Sequence, residues 1–276
     1  MTTDVAIGDA VLEIGLSSAH TTLDLQSFTQ VLIQLRLTLE EIDRNATPVR
    51  TPRVQWGIRD MDMKAGGRVL LVPETIPRTR AWASLALPTD GLVGGVRLLS
   101  RAAEIPPYFS EGTVGRVQAI GKHISAGKFD KIYVSSQRQA QPAEVGRRTV
   151  ENAATAVEPV KRSFSSVAGT LDVLDYNRGG RRARAEVRVP GSKHAVRIFA
   201  DHGQAAELRD AWGQHVRVGG LLKRNIAGQP VSLELEELEV LGAQPAPVSP
   251  RSILGVDPDF SDGMSTAEYL ERVRRG

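Results

Sequence analysis

The chain contains no cysteine, which excludes disulfide bonds, thiolate metal sites and cysteine nucleophiles. It also lacks any apolar run long enough to span a bilayer, and its start, MTTDVAIGDA, has neither the basic nor the apolar block of a signal peptide. We therefore expect a cytoplasmic protein without a membrane partner. Aromatic residues make up only 5% of the chain, so few side chains are available to stack on nucleic-acid bases.

Catalytic signatures are missing as well. His202 and His215 lack the spacing and the second carboxylate that would suggest a metal site. The segment GKHISAGKF fails as a phosphate-binding loop, because Gly121 and Gly127 lie one residue too far apart and Phe129 replaces the metal-binding Ser or Thr. We predict no enzyme activity, no metal and no cofactor.

What the chain does have is an ordinary globular composition with an uneven charge distribution. Its 276 residues are 41% hydrophobic and 24% charged, which is enough to build a core. Residues 176–224 hold eleven Lys and Arg against four Asp and Glu, whereas residues 225–276 hold four against nine. Such asymmetry points to separate basic and acidic surfaces.

The first half predicts an α+β domain over residues 1–160. Apolar residues at helical spacing predict a helix capped by Asp24, which either faces the core or forms a coiled-coil seam. That stripe consists of Leu25, Phe28, Leu32, Leu35, Leu39 and Ile42. Beyond it we expect a hairpin around residues 65–67, a strand at AWASLAL, a helix within 89–104, a short helix over 113–120, the strand KIYVSS and a helix after Pro142.

The second half predicts three strands, a helix and two more strands over residues 164–242. This order matches an OB-like five-stranded β-barrel. In the last strand, Leu233 and Leu235 alternate with glutamates until Glu236 and Glu237 shift the phase, which predicts a β-bulge that helps the barrel to close. The predicted fold is therefore α+β: an N-terminal α+β domain, an OB-like barrel and a C-terminal helical tail.

A basic loop, DYNRGGRRARAEVRV, joins the first two barrel strands, where OB-folds commonly contact ligands. The guanidinium groups of the arginines in this loop can bind phosphate groups through paired hydrogen bonds. Only Tyr176 and Phe199 are available nearby to stack on bases. The alternative is a solvated edge whose charges prevent aggregation. The candidate nucleic-acid-binding residues are Arg178, Arg181, Arg182, Arg184, Arg197, Lys223 and Arg224.

The last segment, residues 243–276, combines a proline-spaced linker with a short amphipathic tail. Ser265 and Glu268 form a capping-box pattern that predicts a helix, and a helix this short needs a docking surface. The tail docks either on a groove of a partner protein or back onto the basic loop of its own chain. The candidate partner-binding residues are Ile253, Leu254, Val256, Phe260, Tyr269, Leu270, Arg272, Arg274 and Arg275.

Two segments carry a resemblance. The stretch from VAGTLDVLDY to VSLELEELEVL looks like the β-domain of a group of uncharacterised bacterial proteins that end in a similar acidic-hydrophobic tail. The tail ILGVDPDFSDGMSTAEYLERVRRG resembles the tails with which antitoxins wrap PIN-domain ribonucleases. The resemblance implies that apolar residues fill a groove on the toxin, while Arg272, Arg274 or Arg275 blocks its acidic metal site.

Three hypotheses follow from the sequence. The leading one is a non-enzymatic, antitoxin-like protein that captures and inhibits a partner, such as a PIN-type nuclease, through its tail. The second is a nucleic-acid-binding OB-fold module that uses the basic loop. The third is a structural or assembly protein that pairs through a sheet edge.

Overall fold

The structure, a computed structural model, has a mixed α+β fold with two five-stranded sheets. The described residues are 10–18, 24–47, 51, 53–62, 67–75, 84–139, 141–175, 182–190, 194–242, 264, 268, 271 and 272. Contacts group residues 1–242 into one compact unit and residues 243–276 into a second. The first unit contains two hydrophobic cores, one under each sheet.

The first sheet is antiparallel throughout its described pairings, in the order β2-β3-β1-β4-β5. Its strands are β1 (Leu12–Ser17), β2 (Gln55–Asp62), β3 (Arg68–Thr75), β4 (Lys131–Ser136) and β5 (Ala143–Glu144). The pairing of β2 with β3 confirms the predicted hairpin, and β4 coincides with the predicted strand KIYVSS.

The described part of the same half of the chain contains four helices: α1 (Leu25–Ala46), α2 (Leu87–Leu99), α3 (Glu111–Ser125) and α4 (Arg147–Val157). At the start of α1, the Ser27 N–H donates to Asp24 Oδ2 at 3.1 Å, which confirms the predicted cap. Leu35, Leu39 and Ile42 are fully buried, so the stripe faces the core. Leu25 departs from the pattern, because it is 75% exposed at the first turn.

The strand predicted at AWASLAL is wrong over its described part. Ser84–Ala86 form a turn, and Leu87 is the first residue of α2. Pro88 lies in the first turn of that helix, where its missing N–H costs no hydrogen bond. The helix predicted over 113–120 exists but is longer, because Ser110 and Thr113 form a capping box that starts α3 at Glu111.

The second sheet has the strands β6 (Lys161–Asp175), β7 (Arg182–Arg188), β8 (Ala195–Asp201), β9 (His215–Arg224) and β10 (Pro230–Gly242). A 3₁₀ turn (His202–Gln204) and helix α5 (Ala205–Asp210) separate β8 from β9, which confirms the predicted order of elements. Strands pair in the closed order β10-β8-β7-β6-β9, with β8 and β10 parallel and the other pairs antiparallel.

The predicted bulge in β10 is confirmed. The register between β9 and β10 shifts between Leu235 and Glu237, which leaves Glu236 as the extra residue. Gly220 faces this point with a φ of +154°, and a Cβ there would lie 1.9 Å from the Glu234 carbonyl oxygen. Only glycine therefore fits at this position of β9.

Candidate functional site

Helices α1 and α3 are joined by a buried carboxylate. Glu41 is 4% exposed, and it accepts hydrogen bonds from Ser110 Oγ and, at 2.5 Å, from Thr113 Oγ1. The Arg116 guanidinium forms an ion pair with its other oxygen. Burial by itself would raise the pKa of Glu41, but Arg116 and the two hydroxyls outweigh it and hold the pKa below the ordinary value. This cluster fixes α3 against α1.

Ion pairs also join these helices to the second sheet. Arg44 Nη2 on α1 lies 3.0 Å from Glu186 Oε2 on β7, and Arg197 Nη1 on β8 lies 3.4 Å from Glu111 Oε2 on α3. Burial and then repulsion from Glu41 raise the pKa of Glu186. The outward side chains at this end of β7 and β8 are therefore covered by helices.

The predicted nucleic-acid-binding residues fall into three groups. Arg182 and Arg184 on β7 are exposed. Three more residues already have partners within the protein. Arg197 forms an ion pair with Glu111, the Lys223 Nζ donates to Glu234 Oε1 at 2.8 Å, and Arg224 Nη1 donates to the Gly228 carbonyl oxygen at 3.0 Å. Arg178 and Arg181 lie outside the described residues.

The exposed arginines have an aromatic neighbour. Arg184 on β7 is the cross-strand partner of Phe199 on β8, and Phe199 is in turn paired with Glu234 on β10. The hydrogen bond from Lys223 lowers the pKa of Glu234, and Arg182 and Arg162 lower it further. We call this surface the basic strand face; it comprises Arg182, Arg184, Phe199, Lys223 and Glu234.

A second site is a cavity of about 650 Å³ between the helical layer and the second sheet, which we call the arginine pocket. The segment from α1 onward contributes Arg44, Thr51 and Arg53. The second sheet and the segment after α5 contribute Asp172, Val173, Leu174, Arg209 and Trp212. Burial lowers the pKa of Arg53, and repulsion from Arg44 and Arg188 adds to this effect, whereas attraction by Asp172 and Asp43 opposes it.

Sequence reasoning missed the arginine pocket, since its residues lie far apart in the chain and share no motif. It also missed Phe164, which is 73% exposed on β6 opposite Leu221 of β9. A signal for Phe164 was present, because a lone phenylalanine alternates with serines in the segment RSFSSV.

Of the predicted partner-binding residues, only Arg272 is described. It is exposed, and its Nη1 lies 4.0 Å from Met264 Sδ. Ile253, Leu254, Val256, Phe260, Tyr269, Leu270, Arg274 and Arg275 lie outside the described residues. Their roles stay predictions.

The described residues contain neither a metal-binding cluster nor a membrane-spanning helix. They contain no cluster of three or more His, Asp or Glu side chains that could hold a metal ion. Among the same residues, no helix is long and apolar enough to cross a membrane.

The chain matches no protein-family model, and no curated protein matches it either.

Proposed function

We propose that this chain is a non-enzymatic binding protein and that its second sheet is an OB-like barrel that binds single-stranded nucleic acid through the basic strand face. The strand order supports the OB-like assignment, since numbering the five strands in sequence gives the cyclic order 1-2-3-5-4 with strands 3 and 5 parallel. In OB-folds the face of strands 2 and 3 binds oligonucleotides. Strands β7 and β8 hold these positions here.

The pairing of Arg184 with Phe199 is the observation that carries the proposal. These two side chains lie next to each other on the outer surface of strands 2 and 3, with Arg182 two residues away on the same side of β7. A phenyl ring offers a stacking surface for a base, and the arginines offer charge for the phosphates. Each cation of the face has an acidic neighbour, since Asp201 opposes Arg182, Asp175 opposes Arg184 and Glu234 pairs with Lys223.

The test is fluorescence anisotropy of the full chain with a labelled single-stranded 12-mer at several salt concentrations. We expect binding that weakens with salt, because phosphate contacts release counterions. The double variant Arg182→Gln/Arg184→Gln should bind at least about tenfold more weakly at low salt and show a salt slope smaller by about 1 to 2. Phe199→Leu should weaken binding by about fivefold or more through lost stacking.

A control matched in charge is Arg36→Gln/Arg147→Gln, which removes two arginines from helix surfaces where, among the described residues, each forms an ion pair at i,i+4 spacing alone. It should leave the affinity unchanged. The proposal fails if the wild-type chain does not bind the oligonucleotide at low salt, or if the two double variants lose the same affinity.

A second candidate function is capture of a partner protein by residues 243–276, with a PIN-domain nuclease toxin as the partner that the resemblance suggests. The separation of these residues into a contact unit of their own favours it. The two functions are compatible, because a protein that holds a nuclease can also bind nucleic acid. A cytoplasmic location belongs to this proposal, since a nuclease toxin acts on cytoplasmic RNA.

A further inference from the structure

We propose that this chain forms a symmetric dimer in which the first half of β6 pairs antiparallel with the same segment of a second copy. Strand β6 contributes no residue to the basic strand face, so the inference goes beyond the proposed function and does not depend on it. Three properties of β6 carry it: a backbone edge that is open to a further strand, an exposed aromatic side chain and a sequence that is complementary to itself.

Strand β6 has strand neighbours on both sides over only part of its length. It pairs with β9 from Lys161 to Thr170, whereas its register with β7 begins at Thr170 and runs to Asp175. Among the described residues, the segment 161–169 therefore has a strand neighbour on one side only. We call this segment the open edge. A sheet edge of this length is a template for a further strand.

The backbone of the open edge presents hydrogen-bonding groups to such a strand. The Leu171 N–H donates to the Gln214 carbonyl oxygen at 3.0 Å, and the register between β6 and β9 has no shift over residues 161–170. Because backbone groups alternate in direction along an antiparallel strand, the odd-numbered residues of this stretch bond to β9. The even-numbered residues direct their N–H and C=O groups away from β9; they are Arg162, Phe164, Ser166 and Ala168.

The side chains of these four residues lie on the outer face of the sheet, and all four are exposed. Phe164 stands out, because 73% of this large apolar residue is exposed. Its neighbour on β9 is the half-buried Leu221, and on its other side the described structure provides no strand. A second strand at the open edge would cover the phenyl ring and remove apolar surface from water, which favours association.

The edges of the first sheet differ, because they carry features that discourage pairing with another chain. Strand β2 has a register shift between Ile58 and Asp60 and further charged side chains at Arg59 and Asp62. Strand β5 has only two residues. Bulges, charges and short edge strands all prevent edge-to-edge association. By contrast, residues 163–169 of the open edge contain no charge and no proline, and their register with β9 is regular.

The open edge is complementary to itself in the antiparallel direction. A two-fold axis at its central residue, Ser165, aligns the segment with its own copy. Phe164 then lies opposite Ser166 of the second copy, and each large side chain faces a small one. Arg162 lies opposite Ala168 in the same way, so no like charges are opposed. The two phenyl rings become diagonal neighbours, about 7–8 Å apart and within reach of each other.

Charge favours a second copy over an unrelated strand. The charged residues of the open edge, Lys161 and Arg162, both lie at its start. An acidic partner strand would therefore find opposite charges at one end only. In the symmetric pair, the Lys161 residues of the two copies lie at opposite ends, about 27 Å apart. Since salt screens charges beyond about 8 Å at physiological ionic strength, their repulsion is small.

The first experiment is sedimentation equilibrium of the full chain over a range of protein concentrations. We expect a reversible equilibrium between monomer and dimer. Phe164→Ser should raise the dissociation constant of the dimer at least about tenfold, because burial of a phenyl ring is lost in both copies. The control is Ile58→Ser, which removes a side chain that is 52% exposed on the edge strand β2. It should dimerise as the wild type does.

The second experiment tests the register with engineered cysteines, since the chain has none of its own. In the proposed pair the Cα atoms of the two Ser165 residues lie about 4.5 Å apart, as in other antiparallel pairs without mutual hydrogen bonds. A disulfide bond spans about 4.4–6.8 Å between Cα atoms. Ser165→Cys should therefore form a covalent dimer with oxidised glutathione. Ser163→Cys is the matched control, because its two copies lie about 14 Å apart along the strands and should stay uncoupled.

The cysteine variants keep the test decisive even if Phe164→Ser fails to fold. A chain that is monomeric at every concentration overturns the proposal and leaves the open edge to a strand of another protein. Equal cross-linking of the two cysteine variants overturns the register on which the proposal depends. A dimer that is weakened by Ile58→Ser and not by Phe164→Ser also overturns it, because the contact would then lie on β2. Oligonucleotide binding by the same variants is a separate measurement, so the two proposals fail separately.

Discussion

Glu41 offers the sharpest test of how α1 and α3 are held together. The substitution Glu41→Gln keeps the shape of the side chain but removes the charge that Arg116 and two hydroxyl groups share. Removing one partner of a buried ion pair costs about 3–5 kcal/mol. Since the Arg116 side chain is 28% exposed and regains some hydration, we expect the lower end, about 3 kcal/mol.

The neighbouring residue provides the control. Glu40 pairs with Arg36 at 2.5 Å, but the two side chains are 33% and 48% exposed. Glu40→Gln should therefore cost only about 0.3–0.5 kcal/mol, as for other exposed pairs at this spacing. Urea unfolding at pH 7 measures both, and with a slope of about 3 kcal/mol per molar the Glu41 variant should unfold at about 1 M less urea. Equal shifts for the two variants would refute the role of burial.

The pH dependence gives a second measure of the same cluster. The folded-state pKa of Glu41 lies below its ordinary value of 4.5, so the carboxylate stabilises the fold above that pH. As the pH falls through the folded-state pKa, Glu41 takes up a proton and its contribution is lost. The stability difference between the wild type and Glu41→Gln should therefore be full at pH 7 and shrink below pH 4.5. A difference that stays constant down to pH 3 would contradict the electrostatic explanation.

Two further predictions concern packing and the C-terminal segment. Gly95→Ala on α2 places a Cβ 2.3 Å from Phe109 Cζ and should destabilise the fold by about 1–3 kcal/mol. The added Cβ of Gly115→Ala on α3 meets no atom within 4 Å, so this variant should stabilise the fold by about 0.5–1 kcal/mol. Thermal unfolding distinguishes them, and a stabilised Gly95→Ala would be inconsistent with this packing. A chain that ends at Leu241 should keep its fold and lose a partner protein in pull-downs from the native lysate. Identical pull-down profiles would argue that the C-terminal segment captures no partner.

Local patterns predicted most of the elements. The apolar stripe and Asp24 define α1, the turn residues define the β2–β3 hairpin, and the phase shift at Glu236 predicts the bulge. Each of these features depends on residues close in sequence, where helical and strand periodicity apply. The segment AWASLAL shows the limit, because a short apolar run suits a strand or a buried helix start equally well.

The sequence by itself determined the order of strands and helices in the second half of the chain, the absence of thiol chemistry and the uneven distribution of charge. Only the tertiary structure decided which charges are buried and which are free. Arg44 meets Glu186 across 142 residues, and Glu41 meets Arg116 across 75. The arginines of β7 and β8 look alike in sequence, yet Arg197 pairs with a helix while Arg184 stays exposed. Burial of a charge depends on partners that folding brings together from distant segments, and no local pattern encodes that proximity.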